Sequence, residues 1–298
     1  METHGKIILI GEHAVVYNKP AIVCPVFDAY VSVEIQPYEY TSIESDFYSG
    51  PIEHSTDQFE PIQQLILNVM KVHDIETVLI KIINNIPIAA GMGASAAIAG
   101  AIVKALYKYI QKTLTDDALK SWIEFSEKIA HGNPSGIDTA GILSHQALVF
   151  QKANSVEPIQ FDMNGYLLIV FSNQHGSTKE AVSLVSKYII ENPTILEKMH
   201  QSVLRARLHI ESKDIQALGS EMHQYHQYLS QLGVSTPVLE AMIQDAMMHG
   251  ALGSKLSGGG LGGCMIALFD DVERLHTFKK ELMHQGFQKQ FVLDLKRI

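Results

Sequence analysis

Cysteine is scarce in this chain, since Cys24 and Cys264 are the only two among 298 residues. Two cysteines cannot build the disulfide framework of a small secreted protein, and such usage fits a reducing compartment. The first residues, METHGKIILIGEH, contain an apolar run of only four residues, which is too short for the core of a signal peptide. We therefore expect a cytoplasmic protein.

Basic residues are in deficit: 23 Lys and Arg stand against 32 Asp and Glu, which gives a formal net charge of −9 at pH 7. Nucleic acids and acidic membrane surfaces favour proteins with basic patches, so this balance argues against both as partners. The chain length suggests two domains, and 46% hydrophobic with 18% charged residues is typical of a globular protein.

Charge is missing altogether from the 22 residues between Lys81 and Lys104. A segment of that length could cross a bilayer as one helix. However, only eight of its residues are large aliphatics, while seven are alanine and three are glycine, and Pro87 would break a helix. The composition therefore argues against a membrane span.

The same segment has the strand, glycine-rich loop and helix order that is typical of a phosphate-binding turn. Its β-branched residues predict a strand over 78–85, and apolar residues recur at helical spacing from Ala94 onward. Between them, PIAAGMGAS is a glycine-rich loop that leads into a helix N-terminus, where unpaired N–H groups and the helix dipole attract anions. A loop that only packs the helix against the strand is the alternative. A Walker A loop is excluded, because no Gly-Lys-Ser/Thr follows.

Strands and helices are partly segregated along the rest of the chain. Strands are expected up to about residue 46, and a strand at 166–172 opens a largely helical second half. In that half, one helix face is predicted to be buried because its apolar residues step by 3 and 4: Ile215, Leu218, Met222, Tyr225, Leu229 and Leu232. The pattern indicates an α+β class rather than a doubly wound α/β fold, with a domain boundary near residue 162.

A second glycine cluster, KLSGGGLGGC, covers residues 255–264. Its match to the dinucleotide pattern G-x-G-x-x-G is misleading, because these glycines precede a predicted strand instead of opening a helix. So many glycines raise the entropy cost of folding and need a reason. Either the loop packs tightly between strands, or its backbone closes over a ligand.

Two further stretches carry candidate acids and bases. In EKIAHGNPSGIDTAG, Glu127 lies at the margin of a helix face, where a solvated edge position is the favoured interpretation, and Asp138 lies in a short turn. In GKIILIGEHAVVYNKP, Lys6 precedes a strand, and Glu12 and His13 follow it. Taken singly, charged residues at strand ends are commonly surface features.

Together the four stretches resemble the galactokinase–homoserine kinase–mevalonate kinase–phosphomevalonate kinase superfamily (the GHMP kinases), and within it the mevalonate kinases. The resemblance runs from Gly5 to Cys264, with the three superfamily motifs in order. Galactokinases have GEHTDYN where this chain has GEHAVVYN, so that Val15 replaces a sugar-binding Asp, and phosphomevalonate kinases tend to have GEYAV. HGNPSGIDTAG also favours a mevalonate kinase, because homoserine kinases lack the acid that aligns with Asp138.

This resemblance implies a GHMP kinase fold of class α+β. Its N-terminal mixed α/β nucleotide-binding domain would cover 1–162, and its helix-rich C-terminal α+β domain would cover 163–298. The implied reaction is transfer of the γ-phosphoryl group of ATP to the 5-hydroxyl of mevalonate, with ATP and Mg²⁺ as cofactors. Mevalonate would be the small-molecule partner, and the association state is left open, with a homodimer among the alternatives.

The resemblance also assigns roles to single residues. Asp138 matches the proposed catalytic base, and Lys6 matches a lysine that orients that acid and stabilises negative charge. Ser95 and Glu127 match the Mg²⁺ ligands. The residues matching the nucleotide loops are Gly91, Gly93, Ala94, Ser95, Ala96, Gly258 and Gly259. The residues matching the substrate pocket are Glu12, His13 and Thr178.

The chain departs from the family pattern at several positions. Met92 and Ala94 replace the Leu and the first Ser of the usual GLGSSAA, and Leu261 replaces a glycine of KLTGAGGGGC. Two other functions stay open from the sequence. One is a phosphomevalonate kinase, and the other is a non-catalytic metabolite sensor on the same fold. A sensor would be expected to lose Asp138, Lys6 or Glu127, and all three are present.

Overall fold

A computed structural model describes residues 1–132, 134–152 and 156–298. Asn133 of the HGNP motif lies outside the described residues. The β-strands are β1 (Glu2–Ile10), β2 (Ala21–Pro37), β3 (Ser42–Glu44), β4 (Ser49–Pro51), β5 (Val78–Asn84), β6 (Leu148–Phe150), β7 (Glu157–Pro158), β8 (Tyr166–Phe171), β9 (Gly253–Ser257), β10 (Cys264–Phe269) and β11 (Gln290–Asp294).

The α-helices are α1 (Glu60–His73), α2 (Ala94–Tyr109), α3 (Asp116–His131), α4 (Ile137–Leu143), α5 (Thr178–Glu191), α6 (Thr194–Glu211), α7 (Ile215–Gln231), α8 (Pro237–Met248) and α9 (Val272–His284). Short 3₁₀ helices occupy Ala14–Tyr17, Ile52–His54, Asp57–Phe59 and Leu295–Arg297. This mixture confirms the predicted α+β class.

The contacts divide the chain into two compact units, each assembled from separate segments. The first unit comprises Met1–Gly5, Ala29–Ile86 and Gly93–Leu143. The second unit comprises Lys6–Asp28, Pro87–Met92 and Ser144–Ile298. The sequential division into 1–162 and 163–298 stays a prediction.

In the first unit, a sheet with the order β4-β3-β5-β2 lies beside a group of four helices. β2 pairs with β5 in antiparallel register, with Val33 opposite Ile82, while β3 runs parallel to β5. Val31 and Val33 are buried, whereas Glu34 is exposed, so the strand follows the period of two expected for a half-buried sheet.

Helix α2 is the centre of the first unit's helical layer. It contacts α1, α3, α4 and β5, and its residues from Ala96 to Val103 are all buried. A side-chain carbon at Gly100 would come within 3.2 Å of Ile123 Cδ1 on α3, so small residues let the two helices approach closely. The missing charge of this segment therefore has a packing cause, because a buried charge without a partner is costly.

The second unit contains an antiparallel sheet with the order β11-β8-β10-β9. β8 pairs with β10 so that Ile169 faces Ile266, and both side chains are fully buried. Helices α7 and α8 pack on β9, and α8 and α9 pack on β10. The helix face predicted on α7 is confirmed, because Leu218, Met222, Tyr225 and Leu229 are buried on it.

One predicted boundary was wrong. AIVCPV and VSVEIQ were expected to be separate strands, but β2 runs through both as a single strand of 17 residues. Its start pairs with β6 from Ala21 to Val23, and its later part pairs with β5 from Val31 onward. Backbone pairing with other strands keeps the chain extended through exposed Phe27 and Asp28, where the apolar pattern is interrupted.

Among the described residues, none of the helices combines the length and the apolar character that a membrane crossing requires. The cytoplasmic location and a homodimeric assembly stay predictions.

Candidate active site

In the first unit, Ser95 and Glu127 are brought together by helices α2 and α3. Ser95 is the second residue of α2, and its Oγ donates a hydrogen bond of 2.5 Å to Glu127 Oε1. Glu127 is only 1% exposed, so the expected solvated edge position was wrong. A buried carboxylate needs polar partners, and His131 Nε2 lies 3.7 Å from Glu127 Oε2 one helical turn later.

The N-terminus of α2 has the features expected of an anion site. Gly93 occupies the N-cap position with φ 72°, and no side chain caps the helix. Ala94 and Ala96 are buried, so only small side chains surround the first turn. Unpaired N–H groups of a first turn can bind phosphate oxygens, and a hydroxyl beside a carboxylate offers the oxygen ligands that hard cations prefer.

Asp138 lies in the first turn of α4 and is half-buried. The sequence predicted a turn at this position, and this was wrong, because the helix begins at Ile137. Gly136, with φ 84°, turns the chain into the helix, and the amide of Ala140 donates to the Gly136 carbonyl at 3.0 Å. A rigid helical turn, rather than a loose loop, therefore carries the candidate acid.

In the second unit, Lys6 is buried at 2% exposure near the middle of β1. The prediction that Lys6 precedes the strand was wrong, because β1 already begins at Glu2. Its Nζ donates to the Gly91 carbonyl at 2.8 Å, and its amide donates to the Met92 carbonyl at 3.0 Å. Lys6 is therefore a structural partner of the first glycine loop as well as a candidate for charge stabilisation.

The two glycine loops touch each other within the second unit. A side-chain carbon at Gly91 would lie 2.6 Å from the Ser257 carbonyl oxygen and 2.8 Å from Gly258 Cα, and both glycines have positive φ, 78° and 96°. Ser257 Oγ in turn pairs with both the amide and the carbonyl of Ile8 in β1, at 3.0 Å each. Direct backbone contact therefore explains why glycine is required at these two positions.

Leu261 has a backbone conformation that favours glycine. Its φ is 56°, in the left-handed region that a leucine rarely adopts, and its amide donates to the Val234 carbonyl at 2.7 Å. The second loop thus has a left-handed backbone at a position occupied by leucine.

Glu12 and Lys255 form a buried ion pair in the second unit. Glu12 is 2% exposed and Lys255 is fully buried, and Lys255 Nζ contacts Glu12 Oε1 directly. Burial raises the pKa of Glu12, and the nearby Lys255 opposes that rise. Burial likewise lowers the pKa of Lys255, against the attraction of Glu12.

His13 is buried beside the second glycine loop and has a left-handed backbone, with φ 61°. Its Nε2 lies 3.0 Å from the carbonyl oxygen of Gly259. A carbonyl can only accept, so Nε2 carries the proton, and Nδ1 keeps a lone pair in the neutral ring. Burial lowers the pKa of His13 to about 4, so the ring is neutral at pH 7.

Thr178, the first residue of α5, lies next to Gly259. A side-chain carbon at Gly259 would lie 3.0 Å from Thr178 Oγ1. Thr178 and His13, two of the predicted substrate residues, therefore both adjoin Gly259. The sequence reasoning missed Lys255, which was noted only as the first residue of a glycine motif, although a lysine inside so apolar a segment was a signal that it has a buried partner.

The low pKa of His13 predicts a pH-dependent loss of stability. The unfolded imidazole takes up a proton near pH 6.5, whereas the folded one does so near pH 4. The unfolded state binds more protons in that window, so stability falls by about 3 kcal/mol in total as the pH is lowered from 6.5 to 4. The free energy of unfolding, measured with denaturant at several pH values, should depend less on pH in His13→Gln than in the parent. An NMR titration of His13 with its midpoint near 6.5 would contradict this.

Comparison with known proteins agrees with the motifs. The family model of the GHMP kinases N terminal domain matches residues 61–146, and that of the GHMP kinases C terminal domain matches residues 204–285. The mevalonate kinase of Pyrococcus abyssi (strain GE5 / Orsay) is 32% identical over 298 aligned residues, which cover 91% of this chain and 88% of that protein.

Two solved structures share the fold. The L. major mevalonate kinase, solved in complex with R-mevalonate, has a TM-score of 0.84 and 28% identity, with 98% of this chain and 95% of that chain covered. The Streptococcus pneumoniae phosphomevalonate kinase has a TM-score of 0.81 but only 18% identity, with 98% and 99% covered, so this second likeness shows the fold alone. The identity shared along nearly the whole chain with a mevalonate kinase shows that this chain belongs to the mevalonate kinase family of the GHMP kinases.

Proposed function

We propose that this chain transfers the γ-phosphoryl group of ATP to the 5-hydroxyl of mevalonate, giving 5-phosphomevalonate and ADP, a step of isoprenoid biosynthesis by the mevalonate pathway. The observation that carries the proposal is the 32% identity to an archaeal mevalonate kinase over 91% of the chain. The L. major enzyme, solved with R-mevalonate, supports the same substrate. Kinases of this family use ATP as phosphate donor.

The backbone around α2 and the two glycine loops would hold the triphosphate. The uncapped first turn of α2 offers its amides at Ala94, Ser95 and Ala96 to phosphate oxygens. Phosphoryl transfer depends mainly on positioning and on neutralising charge, which suits a site built from backbone amides and a few charged side chains.

Ser95 and Glu127 would hold Mg²⁺. Their donor set, one hydroxyl and one buried carboxylate 2.5 Å apart, fits a hard cation that keeps several water and phosphate ligands. When bound, the ion neutralises charge on the phosphate oxygens. The hydrogen bond from Ser95 holds the Glu127 carboxylate in one orientation, so the donor set is already ordered.

Asp138 and Lys6 would act on the mevalonate hydroxyl. Asp138 would accept the hydroxyl proton, or orient the hydroxyl electrostatically, as the oxygen attacks the γ-phosphorus. Lys6, whose ammonium is fixed by the Gly91 carbonyl, would stabilise the negative charge that develops on that oxygen. Glu12, His13 and Thr178 would line the mevalonate pocket, with His13 and Thr178 both next to Gly259.

Phosphomevalonate kinase is the second candidate, and it is less well supported, because the likeness to such an enzyme is 18% in sequence. Glu12 and His13 also keep the GEH sequence of the first motif rather than GEY. A non-catalytic sensor has no observation in its favour.

The substrate assignment predicts that mevalonate stimulates ADP release from Mg-ATP. Phosphomevalonate, galactose and homoserine should give only background release in the same coupled assay. Turnover of phosphomevalonate at an equal or higher kcat/KM would replace the proposal with its alternative.

The metal assignment predicts a raised Mg²⁺ requirement for Glu127→Gln and Ser95→Ala. The Mg²⁺ concentration for half-maximal activity should rise by about tenfold or more, as found when groups that hold or orient a metal are removed. Glu124→Gln is the matched control, because Glu124 lies on the same helix, is exposed and has Lys120 Nζ at 3.9 Å as an ion-pair partner.

Glu127→Gln should keep the parent melting temperature, because the amide oxygen introduced there can still accept from Ser95. Ser95→Ala removes a donor to the buried Glu127, so it should keep the fold at a lower melting temperature. Circular dichroism and thermal melting check this point. If both variants and the control show the same Mg²⁺ dependence as the parent, Glu127 and Ser95 are a structural pair and not metal ligands.

The catalytic assignment predicts that Asp138→Asn lowers kcat by about 10²–10⁴-fold, the usual loss for a positioned base, or roughly 3–5 kcal/mol of barrier. ATP binding should change little, because backbone amides hold the triphosphate. Lys6→Met should also lower kcat, and the double variant should lose much less than the product of the single losses if the two residues act as a unit.

Exposed Asp117→Asn, also in the first unit, serves as the control and should keep the parent rate. A kcat for Asp138→Asn within a few-fold of the parent would remove Asp138 from the mechanism. Strict additivity of the two losses would show that Asp138 and Lys6 act independently.

A further inference from the structure

The buried pair of Glu12 and Lys255 is held from several sides. Lys255 Nζ contacts Glu12 Oε1, donates to the Leu256 carbonyl at 2.6 Å and lies 5.8 Å from the centre of the Tyr225 ring. The Tyr225 hydroxyl donates to the Glu12 carbonyl at 2.8 Å. Lys255 in β9 therefore fixes the side chain of Glu12, and Tyr225 in α7 fixes its main chain.

Lys255 contacts only one oxygen of the Glu12 carboxylate, Oε1. Glu12 Oε2 is buried, and no described residue donates a hydrogen bond to it. Most buried polar atoms in native proteins have a partner, so such an exception needs an explanation. The neighbouring His13 donates from Nε2 to Gly259, which leaves Nδ1 as an acceptor as well. Glu12 Oε2 is therefore a buried acceptor that lacks a donor within the described part of the chain.

A substrate hydroxyl is a donor that fits Glu12 Oε2. A substrate carboxylate does not fit there, because two carboxylates would repel each other. The ionised carboxylate is the stronger acceptor, and burial opposes ionisation by raising the pKa of Glu12. The charged groups that act on it are the ammoniums of Lys255 and Lys6, which favour the ionised form, and the Tyr225 hydroxyl also lies near it.

We propose that Lys255 is a positioning residue for the substrate: it holds the Glu12 carboxylate ionised and oriented so that Oε2 accepts the proton of a mevalonate hydroxyl. The inference rests on the proposed function and adds to it a residue that does not itself touch the substrate. The competing explanation is that the pair only stabilises the fold, as many buried pairs do.

Two variants separate these explanations. Lys255→Met leaves the Glu12 charge buried without its partner, so it should lower both the melting temperature and the affinity for mevalonate. Glu12→Met/Lys255→Met removes both charges and fills the space with side chains of similar volume, an exchange that is often neutral or stabilising. The double variant should therefore melt close to the parent, while the acceptor for the substrate hydroxyl is gone.

Steady-state kinetics with mevalonate and with ATP give the decisive readout. In the double variant, KM for mevalonate should rise by about tenfold or more, with KM for ATP nearly unchanged, because the lost contact is made to one substrate only. In Lys255→Met, KM for mevalonate should improve as the pH is raised, because Glu12 without its partner ionises only at higher pH. Lys213→Met, which removes an exposed lysine paired with Asp162, is the control and should match the parent.

A double variant that recovers both the melting temperature and the parent KM for mevalonate would overturn the inference and leave a purely structural pair. An equal rise of KM for both substrates would also overturn it, because it would indicate a distorted second glycine loop. If the parent phosphorylates mevalonate and the double variant gives either of these two overturning results, only the inference about Lys255 fails, and the proposed function stands. If the parent does not phosphorylate mevalonate, the proposed function fails, and this inference fails with it.

Discussion

The direct contact between the two glycine-rich loops is the constraint on which the second unit's candidate residues depend. Gly91 and Gly258 meet main chain to main chain, at a distance that leaves no space for a side-chain carbon on either residue. Lys6 ties the first loop to β1 through the Gly91 carbonyl, and Ser257 ties the second loop to the same strand through Ile8. One strand therefore sets the positions of both loops, and a bulkier residue at either glycine would separate them.

A different constraint orders the first unit's candidate residues. The alanine-rich helix α2 is buried on nearly all sides, and it approaches α3 closely where Gly100 faces Ile123. This close approach buries Glu127, whose carboxylate then needs a hydrogen-bond donor, and Ser95 supplies it. The hydrogen-bonded pair of Ser95 and Glu127 is thus a consequence of helix packing, because a carboxylate that is removed from water needs polar partners.

Burial and a neighbouring lysine control the charges of Glu12 and His13 in the second unit. His13 is neutral at pH 7 because it is buried, while Glu12 is buried beside two ammonium groups. Desolvation acts against charge on both side chains, and the nearby Lys255 opposes it at the Glu12 carboxylate but adds to it at the His13 ring. The same cation therefore favours the ionised form of Glu12 and the neutral form of His13.

The sequence by itself determined the α+β class, the central strand–loop–helix around residues 78–109, the buried face of α7 and the order of the kinase motifs. Those features follow from local periodicity, glycine placement and motif spacing, and these patterns depend on residues that are close together in the sequence. The tertiary structure alone decided that β2 is one strand, that Glu127 is buried, that Asp138 lies on a helix and that Lys255 pairs with Glu12. Each of these depends on contacts between residues far apart in the chain, up to 243 positions for the ion pair, and on the loss of water around them, which no local pattern contains.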